Sequence, residues 1–312
     1  MKYLLLFSFL FLSCSHLPFE SSKTQTTYTQ FRSEQSVYPS SDGKVAYIDK
    51  GKGEPILLLH GVPTSGWMYR HVIEDLVKDG YRVIAPDMLG FGSSDNPEGY
   101  EIYSEKNHAR RIIGLMNSLG IQKWHHVCHD AGGLWTFQVA EQAPGRFQSL
   151  TVLNSVLLEE GFNPPVRMER GLAVNVAMAG YRNSITNNVM MGALFQQGLE
   201  DCHNLNDIDR EGYRRPLLEG KTNSLYYFFS NSCNSLPDQR AAMQSVAAHG
   251  CPAQVIWGIN DDMLLWQPQA EHVMKLLKIS QNDVHLLNAN HFLKEEKPDE
   301  ISRLVNSFIK EN

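Results

Sequence analysis

The strongest constraint on the fold is the alternation of short apolar runs with stretches of helical spacing. The runs are "KVAYID" ending at Asp49, "PILLLHG" from Pro55 to Gly61, "YRVIAPDM" from Tyr81 to Met88, and "WHHVCHD" ending at Asp130. They continue with "SLTVLNS" ending at Ser155, "AQVIWGIN" ending at Asn260 and "DVHLLNANH" ending at His291. Their Val, Ile and Leu content is continuous rather than alternating, as expected of strands covered on both faces of a parallel sheet. Between them "MYRHVIEDLVKDG", "KNHARRIIGLMNSLG" and "DEISRLVNSFIKE" have helical spacing, and Gly closes the first two. Strand and helix in alternation predict an α/β fold with a mostly parallel, doubly wound sheet.

One interval breaks the alternation. Residues 156–250 contain no convincing strand but several helical pieces, a length too great for an ordinary connection. This interval is read as an inserted helical cap between a first core segment, 43–155, and a second, 251–312. Ligands of open α/β sheets sit beyond the carboxyl ends of the strands, so a cap there would cover the site.

The chain starts differently. In "MKYLLLFSFLFLSCS" a lysine precedes an apolar run, Tyr3 to Leu12, too short to span a bilayer, and small residues follow. Residues 1–14 resemble a bacterial lipoprotein export signal with Cys14 as the lipidated residue, implying a periplasmic or membrane-anchored protein. Residues 15–42 are rich in Ser, Thr and Gln and read as a polar tether. A net charge of -6 and the absence of a basic run leave no footing for nucleic acid. Membrane association is expected through the anchor alone. Apart from Cys14, the cysteines Cys128, Cys202, Cys233 and Cys251 form no C-x-x-C pair, which argues against a metal site. A Cys202–Cys233 disulfide is compatible with an oxidising compartment, and sequence does not decide it.

Chemistry-bearing residues gather at strand ends. Asp130 follows "HHVCH" and precedes Gly132 and Gly133, small residues that allow a tight strand-to-helix turn. Such a turn exposes the side chain, and the new helix aims its free N–H groups at the carboxylate, favouring an ionised nucleophile. An aspartate there also suits a plain helix N-cap. In "WGINDDML" Asp261 follows Gly258 by three residues and Asp262 stands beside it; "NANHF" puts His291 after the last strand. The chain order is nucleophile, acid, histidine, with Asp261 preferred over Asp262 as the orienting acid. In "LLLHGVPTSGW" the N–H of Val62, with that of Ala131, is placed to form an oxyanion hole.

With "HGVPTSGWMYR", "VIAPDMLGFGSSD", "HDAGG", "WGINDD" and "NHFLKEEKPDEI" in hand, the chain resembles an α/β-hydrolase of the haloalkane dehalogenase and epoxide hydrolase group, from about Gly43 to the C-terminus. The resemblance implies Asp130 as nucleophile, Asp261 as acid, His291 as base, and Val62 and Ala131 as oxyanion donors. It departs from the pattern at Asn290, often glycine before the histidine, and at Cys128, usually glycine.

A carboxylate is poorly suited to attack a carbonyl but can displace a leaving group from sp3 carbon, forming an alkyl ester. His291 then activates water against that ester, and each oxyanion donor stabilises the intermediate by about 3 kcal/mol. This chemistry needs no metal or organic cofactor, and its substrate is a small apolar organic molecule. Dehalogenases resembling this chain carry Trp after the nucleophile and often Asn after His-Gly, where Ala131 and Val62 stand. Fluoroacetate dehalogenases would want an arginine near the elbow, and Ala131 fails that test as well. Trp67, Trp135 and Trp266 remain as indole donors only in an unforeseen arrangement. Epoxide hydrolases use two cap tyrosines to protonate the opening alkoxide, and the cap offers Tyr181, Tyr213, Tyr226 and Tyr227. The reading is therefore epoxide opening to a diol, with haloalkane hydrolysis as the alternative and a non-catalytic ligand-binding hydrolase fold as the second.

Overall fold

The structure is a computed structural model that describes residues 26–312. Residues 1–14 with Cys14, and the first part of the expected tether, lie outside the described residues. One eight-stranded sheet organises the chain: β1 (Ser36–Ser40), β2 (Gly43–Gly51), β3 (Pro55–Leu59), β4 (Arg82–Pro86), β5 (Trp124–Asp130), β6 (Phe147–Ser155), β7 (Ala253–Gly258) and β8 (Val284–Leu287). Their order is β1-β2-β4-β3-β5-β6-β7-β8, with β1 and β2 antiparallel to their neighbours and every other pairing parallel. The central strands have the continuous burial their composition demands: every residue of β5 and β7 is buried.

Helices α1 (Tyr28–Ser33), α2 (Arg70–Lys78), α3 (Glu105–Ser118) and α4 (Gly132–Gln142) precede or accompany the first strands. The cap holds α5 (Leu172–Arg182), α6 (Ser184–Gly198), α7 (Asp207–Leu218) and α8 (Asn223–Tyr227), the last running on into a π-helical turn at Phe228–Ser232. Returning to the sheet are α9 (Arg240–Ala248), α10 (Ala270–Leu277), α11 (Leu293–Glu296) and α12 (Pro298–Glu311). Helices α2 and α12 pack together on one side, while α3, α4, α9 and α10 form a contiguous layer.

Two expectations are corrected and one open question is answered. The polar stretch assigned to a tether through residue 42 is built into the fold from α1 onward: Tyr28 and Phe31 bury their rings edge-on against Trp67, and β1 pairs with β2. The interval assigned to the cap through residue 250 ends earlier, because α9 packs between α4 and α10 as part of the sheet's helical layer. The Cys202–Cys233 disulfide does not form; the buried Cys233 thiol instead donates to the Val166 carbonyl at 3.3 Å.

Candidate active site

Asp130 closes β5 with φ of 53°, a left-handed backbone that non-glycine residues adopt rarely and that turns its side chain out of the sheet. Two glycines make room for that turn. A Cβ on Gly61 would lie 2.2 Å from Oδ1 of Asp130, and one on Gly132 would lie 2.7 Å from the His60 carbonyl oxygen. Only hydrogen fits at either place.

The two oxygens of Asp130 have different surroundings. Oδ1 accepts the N–H of Val62 at 2.6 Å, and the N–H of Ala131 also favours the ionised carboxyl. Oδ2 lies 4.0 Å from Nε2 of His291. Burial raises the Asp130 pKa above its ordinary value, opposed by His291 and the two backbone donors. The loop bearing Val62 is fixed from behind by His60, whose Nδ1 bonds to the Gly61 carbonyl at 2.7 Å while Nε2 accepts the Met88 N–H at 2.9 Å. Burial lowers the His60 pKa to about 4, so the ring is neutral and this tautomer is the one the two bonds require.

His291 directs Nδ1 to Oδ2 of Asp261 at 2.8 Å. Asp261 is fully bound: Oδ1 accepts the N–H groups of Met263 and Leu264 at 2.9 and 3.0 Å, and Oδ2 also accepts Nδ2 of Asn154 at 2.8 Å. Burial alone would raise its pKa, but His291, Asn154 and the Leu264 N–H outweigh it and hold the carboxyl below the ordinary range. Asp262 is exposed, and its backbone carbonyl accepts from Asn163. The structure thus brings Asp130, His291, Asp261, Val62 and Ala131 together and leaves Asp262 apart. At Asn290 the side-chain oxygen accepts the His291 N–H at 2.8 Å, so the residue standing where glycine is usual braces the histidine loop.

The cap rests on this loop. The Phe292 N–H donates to the Gly198 carbonyl at the end of α6 at 2.9 Å, and Glu296 accepts the N–H groups of Glu200 and Asn290 at 2.6 and 2.7 Å. Beside it lies a buried ionic group: Arg70 bonds Glu295 at 2.6 Å and Asp209 at 2.7 Å, with the Tyr213 hydroxyl donating to Glu295. The expected tyrosine pair is corrected in part. Tyr213 is committed to Glu295, and the Tyr227 hydroxyl accepts from Asn231 at 2.8 Å while its ring packs on Tyr100. Tyr181 is buried on α5, which raises its pKa to about 12, and Tyr226 is half-buried with its ring edge-on to Tyr100. Among the indoles, Trp67 donates to the Asp209 carbonyl at 3.0 Å, Trp135 packs among His60, Phe91 and His108, and Trp266 lies on Trp257.

Sequence reasoning missed four neighbours. Asn154 ends β6 one residue short of the turn and looks like any polar strand end. His129, next to the nucleophile, bonds through Nε2 to the His291 carbonyl at 3.0 Å, and burial pushes its pKa well below the usual value. Arg70 opens α2 on what reads as its polar face. Lys294, three residues after His291, is fully buried with its Nζ 5.9 Å from the Tyr69 ring and without a hydrogen-bond partner among the described residues. The proximity of His129 and Lys294 to the histidine and aspartate was the available signal.

Comparison with known proteins agrees with this geometry. A family model described as the alpha/beta hydrolase fold matches residues 54–298. The chain belongs to that family. Haloalkane dehalogenase 2 of Mycobacterium tuberculosis is 29% identical over 293 residues, covering 87% of this chain and 93% of the relative. Among solved structures, an epoxide hydrolase from Vigna radiata superposes with a TM-score of 0.66 at 20% identity, covering 89% of this chain and 98% of that one. A haloalkane dehalogenase from Bradyrhizobium elkani USDA94 gives 0.65 at 21% identity, covering 88% and 97%. The chain is an enzyme of the alpha/beta hydrolase family, similar in sequence to proteins named haloalkane dehalogenase.

Proposed function

We propose that the protein opens epoxides to diols through an alkyl ester on Asp130. Oδ2, the oxygen outside the backbone hole, attacks an epoxide carbon in line and the C–O bond of the ring breaks. The departing alkoxide takes a proton from a cap phenol. Of the four cap phenols, Tyr181 and Tyr226 are the two whose hydroxyls have no carboxylate or amide partner among the described residues, and they are the candidates for that part. Water hydrogen-bonded to Nε2 of His291, which faces Asp130 at 4.0 Å, then loses a proton to Nε2 and adds to the ester carbonyl carbon. The charge on Oδ1 falls on the N–H groups of Val62 and Ala131; collapse passes the imidazolium proton to the leaving oxygen and frees the diol, and the proton left on the carboxyl returns to the phenolate, restoring the Asp130 carboxylate. Asp261 holds the imidazole in the tautomer that leaves Nε2 free to accept.

The observation that carries this reading is the side chains flanking the nucleophile. The side chains of Val62 and Ala131 offer no N–H to a leaving halide, and the indole N–H of Trp67 is occupied by a backbone carbonyl. The alternative, haloalkane hydrolysis, is favoured by the names of the curated relatives. Incubating the enzyme in parallel with styrene oxide and 1-bromobutane decides between them. Diol formation without bromide release is expected; bromide release without diol overturns the reading.

A further inference from the structure

Cap helices α5 and α6 carry apolar residues on both sides, the outer ones set among uncharged polar side chains. Facing inward are Val174, Met178 and Tyr181 on α5 and Met191 and Phe195 on α6, all buried. Facing outward are Leu172 and Val176, 80% and 62% exposed, and Ile185 and Val189, 76% and 42% exposed. The outward pairs are spaced i, i+4, so each forms a stripe along its helix. A surface helix ordinarily turns charged residues to water. From Leu172 to Leu199 the one charged residue is Arg182, whereas α7 in the same cap carries Asp207, Asp209, Arg210, Glu211, Arg214 and Arg215. The depletion belongs to the α5–α6 hairpin and not to the cap as a whole. No described helix is long and apolar enough to cross a membrane.

The course of the chain says what this face meets. Helix α1, where the described fold begins, packs on α7, with Arg32 paired to Glu219 just beyond it at 2.8 Å, and α7 in turn packs on α5 and α6. The N-terminal segment therefore joins the fold on the cap side. Read as a lipoprotein, the chain is held at Cys14, separated from Thr26 by residues 15–25, which span at most about 40 Å when extended. A bilayer holding the acylated Cys14 lies within reach of the hairpin.

We propose that the outer face of the α5–α6 hairpin is a lipid-docking surface that lays the cap against a bilayer. A single acyl chain gives reversible attachment, and a second contact makes it stable. Leu172, Val176, Ile185 and Val189 enter the acyl boundary, and Arg182 at the hairpin turn stays at headgroup level, its Nε on Thr222. If the function proposed above holds, an apolar substrate dissolved in the bilayer meets the cap directly; the docking itself does not depend on that function.

The test uses the full chain with an environment-sensitive fluorophore on Val189→Cys or, as control, on Glu271→Cys of α10, with the unsubstituted chain giving the labelling background. Vesicles of phosphatidylethanolamine and phosphatidylglycerol carry a nitroxide on the acyl chain. The Val189 label is expected to shift blue and lose more than half its emission with the vesicles, and the Glu271 label to change little. Adding Leu172→Gln, Val176→Gln and Ile185→Gln abolishes the quenching while thermal unfolding stays within a few degrees. Quenching that is absent, equal at both labels, or unaffected by those substitutions overturns the proposal. So does a blue shift without vesicles, whether it grows with protein concentration through a second copy or is independent of it through the chain's own apolar run.

Discussion

The two oxygens of Asp130 stand in different places relative to His291: Oδ2 faces Nε2 across 4.0 Å, while Oδ1 is turned away into the N–H of Val62 at 2.6 Å. In the proposed mechanism this divides one carboxylate into an attacking atom and an atom already seated where negative charge gathers. Displacement at carbon and hydrolysis of the resulting ester would then use the same residues without rearrangement.

Asp261→Asn should disable the second step, because Nδ1 of His291 loses the acceptor that fixes its tautomer. A fall in kcat of about 10⁴-fold is expected, with the ester accumulating in a burst. Asp262→Asn, at an exposed position, should change kcat by no more than about two-fold. Steady-state and quenched-flow kinetics on the two variants check the assignment.

Lys294 should make stability depend on pH. Burial lowers its pKa well below the ordinary 10.5, with Asp130, Glu295, Asp261 and Glu296 pulling the other way. The unfolded chain therefore binds more protons than the folded one between the lowered value and 10.5, and stability rises with pH across that window. The slope approaches about 1.4 kcal/mol per pH unit for one proton. Lys294→Met should flatten it and stabilise the protein by roughly 1–3 kcal/mol below that window, by removing a buried amine with no partner. Urea unfolding at several pH values measures both.

Arg70→Met leaves Glu295 and Asp209 buried without their common cation. A loss of about 3–5 kcal/mol is expected. Glu295 is held below the usual range because Arg70 and Tyr213 outweigh its burial, so its contribution is fully present at neutral pH and is lost as pH falls through the lowered value. Denaturant unfolding of Arg70→Met beside Arg70→Met/Glu295→Leu should show the double variant regaining part of the loss.

Asn154→Ala removes a donor to Asp261 and leaves the Gly258 N–H, which it accepted at 2.7 Å, without its partner. Stability should drop by about 1–3 kcal/mol, read from thermal or denaturant unfolding. The Asp261 pKa should rise, since Asn154 is one of the donors that hold it down.

The sheet was legible because strands covered on both faces announce themselves: β3, PILLL, is apolar throughout and β7 almost so, with all of β7 buried. The edge was not. β1 is "SVYPS", mostly exposed, and its proline is tolerated because an edge strand has an unpaired side. Its neighbour α1 is held by Tyr28 and Phe31 on Trp67, a contact whose partner lies far along the sequence. The end of the cap was misplaced because α9 is a helix like those before it, and only packing against α4 and α10 assigns it to the sheet. At the site, Asp130, His291 and Asp261 were legible from the small residues and strand ends around them. Tyr213 and Tyr227 were not separable from other cap tyrosines, since the partners of their hydroxyls, Glu295 and Asn231, depend on tertiary placement for one and on a π-helical turn for the other.

The most direct test of the central claim is intact mass measurement of His291→Gln after incubation with styrene oxide, followed by peptide mapping. The ester should form and persist, giving a mass increase equal to one substrate on the peptide containing Asp130. Its formation should decline as pH falls through a value above 3.8, because burial raises the pKa of the attacking carboxylate. An adduct on another residue, or turnover that survives Asp130→Ala, would contradict the account.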